Sequence, residues 1–256
     1  MQCIISGYGY VGKATKLIAL HNFSHDNSVD INDPYLTMTA TTWDVADYHF
    51  VCVPTPLNEH NTHSLTAVAD AITVAAQQGF KGTTVIRSTM SPLDYDSLNL
   101  DVEQTIVWPE FLRKSSWEQD ATTPLMSIVG GKNVQQFVSD YGKFPIAHVG
   151  DAKSACMAKL AINSYLAVRT VITHDIRKTC DALNLNWNSV KHVLELDPRL
   201  GSGYWEQPGP DGEWGFGGGC LPKDTAAMST LMNTLGIAQS YATWAIDKNK
   251  KVRNID

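Results

Sequence analysis

Short apolar runs alternate with segments of helical pattern in the first half of the chain, and this alternation constrains the fold more than any other feature. The runs are continuously apolar, as in strands that are buried on both faces of a parallel sheet. Helices are predicted at Gly12–His21 and Ala67–Gln78. Strands are predicted at Cys3–Ser6, Val29–Ile31, Tyr48–Val53, Thr84–Ser88, Ile106–Trp108, Ser127–Val129 and Ala147–Val149. The pattern predicts an α/β fold built on a parallel sheet.

The character of the sequence changes after Gly150. Helices are predicted at Ala152–Leu183, Trp187–Leu196, Pro222–Leu235 and Ile237–Lys250. Residues 197–219 hold eight glycines and three prolines, so they are expected to form a loop. We therefore expect two domains, an α/β domain at 1–149 and an all-helical domain at 150–256.

Composition excludes several classes of protein. A net charge of -6 leaves no basic stripe for nucleic acid or a membrane surface. No apolar stretch approaches a membrane span, and the N-terminus lacks the pattern of a signal peptide. Five scattered cysteines (Cys3, Cys52, Cys156, Cys180, Cys220) show neither zinc-site nor disulfide spacing, so we expect no metal and a cytoplasmic protein.

A glycine-rich turn, Gly7-Tyr8-Gly9-Tyr10-Val11-Gly12, follows the first predicted strand and opens the first predicted helix. In this context the glycines permit a tight turn, close approach of a pyrophosphate and close packing of helix on strand. Asp30, at the end of the second predicted strand, is expected to accept hydrogen bonds from an adenosine ribose and so to favour NAD over NADP. The alternative is an ordinary glycine turn beside a solvated aspartate. The context favours a Rossmann-type sheet that binds NAD.

Two further strand ends carry turn residues, Val51–Pro56 and Ser88-Thr89. They are expected at the carboxyl edge of the sheet, where ligands of open α/β sheets bind. Taken alone, each is more often a turn than a site.

The segment from Gly215 to Asp224 is the sharpest chemical feature. Pro222 suits the first turn of a helix, which places Cys220 at a helix N-terminus, where the thiolate is favoured. Asp224 follows one helical turn later. Lys159 and Asn163 share one face of the long predicted helix and can stabilise an alkoxide, although such pairs usually face solvent.

With these residues in hand, the sequence resembles the UDP-glucose/GDP-mannose dehydrogenase family. The similar blocks are GYGYVG at 7–12, VCVPTP at 51–56, ST at 88–89, PEFLR at 109–113, KLAINSYLAVR at 159–169, DPRLG at 197–201 and GFGGGCLPKD at 215–224. The resemblance implies an oxidoreductase of polysaccharide biosynthesis. Such an enzyme oxidises the primary alcohol of a nucleotide sugar to a uronic acid with two NAD⁺.

The resemblance also implies roles for individual residues. Cys220 would hold the substrate as a thiohemiacetal and then a thioester. Lys159 and Asn163 would stabilise its oxygen, Asp224 and Thr89 would hold a water, and Glu110 would assist hydrolysis. The implied cofactor residues are Gly7, Gly9, Tyr10, Val11, Gly12, Asp30, Pro54, Thr55, Thr89 and Lys223. The implied substrate residues are Phe111, Leu112, Lys159, Asn163, Arg199, Tyr204 and Gly217.

Three features depart from the family pattern. Lys114 stands where the family usually has a glutamate, which puts thioester hydrolysis in question. The segment between Asp30 and Val51 is shorter than usual. The chain ends at Asp256, so we expect a short form without the C-terminal UDP-binding domain, either natural or a fragment. By resemblance we expect a homodimer through the central helices, with Arg199 reaching the substrate of the neighbouring subunit.

Two other functions remain open at this point. A β-hydroxyacid-type dehydrogenase with a single hydride transfer would share the first domain and the Lys159–Asn163 pair, but it gives Cys220 no role. A non-catalytic or regulatory NAD-binding homologue would explain Lys114, but it has little physical reason to retain the polar residues around Cys220.

Overall fold

The computed structural model describes residues 1–21, 27–113, 116–124, 126–141, 146–148 and 150–254. Within these ranges the strands are β1 Gln2–Ser6, β2 Ser28–Asn32, β3 Tyr48–Val51, β4 Thr83–Ile86, β5 Thr105–Val107, β6 Ser127–Gly131 and β7 Ile146–His148. The helices are α1 Tyr10–His21, α2 Thr66–Gln77, α3 Pro92–Ser97, α4 Trp117–Thr122, α5 Val134–Tyr141, α6 Ala152–Ala182, α7 Trp187–Leu196, α8 Leu221–Thr234 and α9 Tyr241–Arg253.

The chain divides into two compact units. The first comprises residues 1–58 and 63–159, and the second comprises residues 59–62 and 160–256. This division falls within α6. The domain limits expected from the sequence, 1–149 and 150–256, stay a prediction.

The first unit is built on one seven-stranded sheet in the order β2-β1-β3-β4-β5-β6-β7. Strands β1 to β5 are parallel, as expected. The β6–β7 pair is also parallel, whereas the β5–β6 pair is antiparallel, so the expected parallel sheet is in fact mixed and mostly parallel. An antiparallel strand starts at the edge where its neighbour ends, so residues 108–126 need not cross a face of the sheet.

Apolar strands and the helices α1, α4 and α5 enclose the core on one face of this sheet. Ile5 of β1 and Phe50 of β3 are fully buried there, together with Trp108 just after β5. Phe137 and Tyr141 of α5 complete an aromatic cluster in which the rings of Trp108 and Tyr141 meet edge to face at 4.8 Å. Burial of such large side chains fixes the register of the strands and therefore the position of the loops that follow them.

The second unit is helical, as predicted. Ala167 and Val171 of α6 pack with Ala245 of α9 and with Phe216, which belongs to the long loop between α7 and α8. Helix α6 is long and apolar enough to cross a membrane by length and composition alone. Half of its most apolar window is buried inside the protein, and a single helix of this kind is weak evidence for a membrane span.

Some elements differ from their predicted bounds. The short helices α3, α4 and α5 were not predicted, because six to eight residues carry too little periodic signal. Helix α9 begins at Tyr241 rather than Ile237, since Gly236 and Gln239 adopt positive φ and Ser240 caps the helix through the amide of Thr243.

Candidate active site

The glycine-rich turn lies where a pyrophosphate would meet the first helix. Strand β1 ends at Ser6 and α1 begins at Tyr10, with no acidic residue in its first turn to repel an anion. A Cβ on Gly12 would lie 2.1 Å from the carbonyl oxygen of Gly7, so only glycine allows this approach. The geometry fits the backbone amides and helix N-terminus that bind a dinucleotide phosphate.

Asp30 does not end its strand, contrary to the sequence prediction. Strand β2 continues to Asn32, and Asp30 accepts hydrogen bonds from the amide of Thr41 at 2.7 Å and from the hydroxyl of Thr42. The sheet register explains this, because Ser6 at the end of β1 pairs with Asn32.

Asp33 is the carboxylate that reaches the glycine-rich turn. Its Oδ2 accepts from the amide of Tyr8 at 2.7 Å, and its Oδ1 caps the 3-10 turn at Pro34–Leu36. The sequence carried a signal for this residue that was missed, since Asp before Pro after a strand is typical of a capped turn.

The two loops at the carboxyl ends of β3 and β4 are bound to each other, as their position suggested. The Thr55 hydroxyl donates to the carbonyl of Thr89 at 2.6 Å, and the Ser88 hydroxyl donates to the carbonyl of Val53 at 2.7 Å. Thr55 and Ser88 are buried. Pro54, Thr55 and Thr89 therefore belong to one structured edge of the sheet.

Glu110 and Lys159 form a buried pair within the first unit. Lys159 Nζ lies 3.6 Å from Glu110 Oε1, and it also donates to the carbonyl oxygen of Glu110. The same ammonium lies 4.7 Å from the centre of the Phe111 ring, and Glu110 Oε2 accepts from the amide of Leu112 at 2.6 Å. Because Lys159 is only 3% exposed, it does not belong to a solvated helix face.

Arg87 is a buried cation that sequence reasoning missed. Its guanidinium stacks 3.7 Å from the centre of the Trp108 ring, and burial lowers its pKa. Among the residues that the structure describes, none accepts a hydrogen bond from Nε or Nη1 of this side chain. The only sequence signal was an arginine at the end of an apolar strand. Nearby, burial raises the pKa of Cys52 to about 11, which makes that thiol a poor nucleophile.

Asn163 and Asp224 are joined in the second unit. The Asn163 amide donates to Asp224 Oδ2 at 2.5 Å, and Lys223 Nζ lies 2.6 Å from Asp224 Oδ1. Asp224 is 1% exposed, so both carboxylate oxygens are held in a buried polar cluster. Asn163 lies one turn after Lys159 in α6 and is also buried.

Cys220 lies at the N-terminus of α8, as the sequence predicted. It is the N-cap residue, with a proline in the first turn, and its carbonyl accepts from the amide of Asp224 at 2.9 Å. All five cysteines lie in the described ranges, and none is in a disulfide. Cys220 alone among them is partly exposed.

The remaining expected substrate residues have separate environments. Tyr204 is 43% exposed and has positive φ, and its carbonyl accepts from the Thr173 hydroxyl. Arg199 is exposed and paired with Asp197 at 2.6 Å. Gly217 lies against Arg253 and Asp211. Lys114 lies outside the described residues. Among the side chains that are described, no group of three His, Cys, Asp or Glu could hold a metal ion.

Two models of one protein family match the chain. Residues 31–140 match the NAD binding domain of the UDP-glucose/GDP-mannose dehydrogenase family, and residues 153–251 match its central domain. The chain belongs to this family. The match to the NAD binding domain identifies NAD as the cofactor, which agrees with the glycine-rich turn and the carboxylate beside it.

Individual relatives agree with this membership. The chain is 27% identical over 226 residues to UDP-glucose 6-dehydrogenase of Rickettsia felis, covering 80% of this chain and 48% of that protein. It is 28% identical over 224 residues to the Streptococcus pneumoniae enzyme of the same name, covering 80% of this chain and 55% of that protein. The chain thus spans about half the length of the curated relatives it matches.

Solved structures share the fold. A UDP-glucose dehydrogenase from Pyrobaculum islandicum superposes with a TM-score of 0.81 at 21% identity, covering 98% of this chain and 68% of that one. A 3-hydroxyisobutyrate dehydrogenase from Mycobacterium tuberculosis gives 0.74 at 18% identity, covering 98% of this chain and 92% of that one. At these identities the likeness concerns the fold alone.

Proposed function

We propose that this chain oxidises the primary alcohol of a nucleotide sugar, of the UDP-glucose type, to the uronic acid, with Cys220 as the covalent nucleophile. The observation that carries the proposal is the position of Cys220, a partly exposed thiol at the N-terminus of α8, one turn from the buried Asp224–Asn163 pair. The free backbone amides at a helix N-terminus can donate to the anionic oxygen that forms beside the sulfur.

The cofactor is held by the first unit in this proposal. The turn at Gly7–Gly12, with Tyr10 and Val11 in its first helical turn, binds the pyrophosphate, and Pro54 and Thr55 line the same edge. We assign the ribose hydroxyls to Asp33 rather than Asp30, because Asp33 is bonded to the turn itself. The expected cofactor contact of Lys223 stays a prediction. NAD⁺, when bound, accepts the hydride in both oxidation steps.

The covalent chemistry is assigned to Cys220 and its helpers. After the first oxidation, the Cys220 sulfur adds to the aldehyde carbon, and the carbonyl oxygen becomes a thiohemiacetal hydroxyl. Loss of a second hydride and a proton gives the thioester. Lys159 and Asn163 stabilise the oxygen in each step, since preorganised donors lower the energy of a developing oxyanion. The substrate contacts proposed are Phe111, Leu112, Arg199, Tyr204 and Gly217.

Hydrolysis of the thioester requires a water and a base. Water attacks the acyl carbon, the carbon–sulfur bond breaks, and the thiolate takes a proton. Glu110 is proposed as the base, with Thr89 and Asp224 holding the water. Glu110 is buried beside the Lys159 ammonium, and the amide of Leu112 donates to its Oε2 at 2.6 Å, so the carboxyl group is held in one position.

A single-step β-hydroxyacid dehydrogenase is the second candidate, because the fold is shared with such an enzyme. It leaves Cys220 and Glu110 without a chemical role. A cofactor-binding protein without turnover is the third. It leaves the buried Asn163–Asp224 and Lys159–Glu110 pairs without a function that would offset the cost of burying charge.

A panel of nucleotide sugars separates the three. We predict NADH formation from UDP-glucose or a related nucleotide sugar by the intact chain, and loss of oxidation to the acid in Cys220→Ser. Cys180→Ser is the matched control, since Cys180 is buried in α6 and has no assigned role. Equal activity in both variants would exclude the covalent mechanism, and NAD binding without any turnover would favour the non-catalytic homologue.

A further inference from the structure

Helix α9 holds the glycine-rich segment that leads to Cys220. The Asn249 side chain accepts from the amide of Phe216 at 2.8 Å and donates to the carbonyl of the same residue at 2.9 Å. Asn249 and Phe216 are both buried. A carboxamide that bonds both backbone groups of one residue acts like a neighbouring strand, so it fixes that residue in position and orientation.

Gly215 makes this contact possible. It has a φ of +76°, and a Cβ there would lie 2.2 Å from Asn249 Oδ1. Its amide donates to Gln207 Oε1 at 3.2 Å, and the Gln207 amide donates to the carbonyl of Thr170 in α6. Two buried carboxamides, Gln207 and Asn249, therefore hold successive residues of the segment.

A second contact from α9 lies further along the segment. Arg253 pairs with Asp211 at 2.5 Å, and Gly217 lies against both side chains. Residues 217–219 are all glycine, which is the backbone with the greatest conformational freedom. Among the described residues, Phe216 is therefore the last one before Cys220 whose backbone is hydrogen-bonded by a side chain.

We propose that Asn249 is a positioning residue that sets the path of residues 215–219 and so the shape of the substrate site beside Cys220. The inference rests on the proposed function for its effect on catalysis. Its effect on the segment does not depend on turnover, because the hydrogen bonds to Phe216 exist within the second unit alone.

Hydrogen exchange of the intact, ligand-free chain tests the proposal. In Asn249→Asp, the amide donor to the Phe216 carbonyl becomes a carboxylate oxygen, which repels that carbonyl at pH 7.5. We expect exchange in peptides covering residues 212–221 to accelerate about 10-fold relative to wild type, because local opening becomes easier. Because position 249 is buried beside a carbonyl oxygen, the pKa of the introduced carboxyl is raised, so at pH 5 part of it is protonated and donates again. The ratio of variant to wild type should therefore fall. Asn188→Asp, at an exposed position of α7, is the matched control.

The second readout is kinetic. We expect Asn249→Asp to raise the KM for the nucleotide sugar about 10-fold while the KM for NAD⁺ stays unchanged, since the cofactor turn lies in the other unit. If Asn249→Asp fails to fold, Asn249→Ser replaces it, and exchange is measured in the same peptides. We expect faster exchange confined to residues 212–221 in this variant too, and no slowing of that exchange relative to wild type at pH 5.

Unchanged exchange at residues 212–221 would overturn the proposal, as would an equal acceleration throughout α8 and α9, which marks a general structural role. If wild type has no turnover, the proposed function fails. A confined, pH-dependent change in exchange would still establish the anchoring role of Asn249.

Discussion

Two aspartates near the end of β2, Asp30 and Asp33, are both candidates for binding the ribose of the cofactor, and their contacts differ. Asp30 accepts hydrogen bonds from the amide of Thr41 and from the hydroxyl of Thr42, both within the first unit. Asp33 follows the strand and bonds directly to the amide of Tyr8 in the glycine-rich turn. A carboxylate in this position can accept from ribose hydroxyls and repel a 2′-phosphate.

This difference gives a prediction at the residue scale. Asp33→Asn should weaken NAD⁺ binding by roughly 10- to 100-fold, the effect of losing charge-assisted hydrogen bonds of about 1.5–3 kcal/mol. The same change should narrow the preference for NAD⁺ over NADP⁺. Asp30→Asn is the matched control and should leave the ratio of the two affinities unchanged. Calorimetric titration with both cofactors measures this, and a larger change in the Asp30 variant would return the role to Asp30.

At the scale of elements, α3 is a short helix that a buried histidine ties to the loop after β3. Ser91 and Asp94 form a reciprocal capping box, and His63 Nδ1 lies 2.8 Å from Asp94 Oδ2. Burial alone would raise the pKa of Asp94, but hydrogen bonds from His63 and Ser91 outweigh it and hold that pKa below its ordinary value. The ionised carboxylate is therefore the form that stabilises this edge of the sheet.

The pKa of Asp94 predicts a pH effect on stability. A carboxyl with a lowered pKa in the folded state contributes stability above its unfolded pKa, and that contribution is lost as the pH falls below about 4. Asp94→Asn should therefore be less stable than wild type at pH 7, and its melting temperature should fall less steeply between pH 5 and pH 3. Parallel slopes for the two proteins in thermal melts would contradict this role. Asp101→Asn, in the exposed turn before β5, is the control.

The elements also show what the sequence could predict. Long periodic segments such as α6 and α7 and the continuous apolar strands were found, because burial imposes their pattern directly. The reversal of β6 was not predictable, since strand direction depends on how residues 108–126 are routed rather than on strand composition. At the site, Cys220 could be placed at a helix N-terminus from Pro222 and the glycines. The partners Gln207 and Asn249 could not, because they lie 8 residues before and 33 residues after the backbone groups they bind.

At the scale of the whole molecule, we propose a homodimer formed through the helices of the second unit. Tyr165 and Ile172 of α6 and Val193 and Leu196 of α7 are exposed to between 44% and 68%, although they are large and apolar. Contiguous exposed apolar patches mark surfaces that another protein covers, and we assign these four side chains to such a surface.

Light scattering tests the dimer. We expect a mass about twice the 28.1 kDa of the chain. Val193→Glu should shift the protein towards the monomer, because a buried carboxylate without a partner is costly in an interface. Val102→Glu, at an exposed position of the first unit, should leave the mass unchanged. A monomeric wild-type protein at micromolar concentration would exclude the homodimer.

In the proposed function, one chain carries a nucleotide sugar through two oxidations with Cys220 as the covalent link. The number of NADH molecules formed per molecule of sugar consumed tests it most directly. We predict a ratio of two for wild type, with the uronic acid or its Cys220 thioester as product. A ratio of one, unchanged in Cys220→Ser, would show a single hydride transfer and contradict the covalent mechanism.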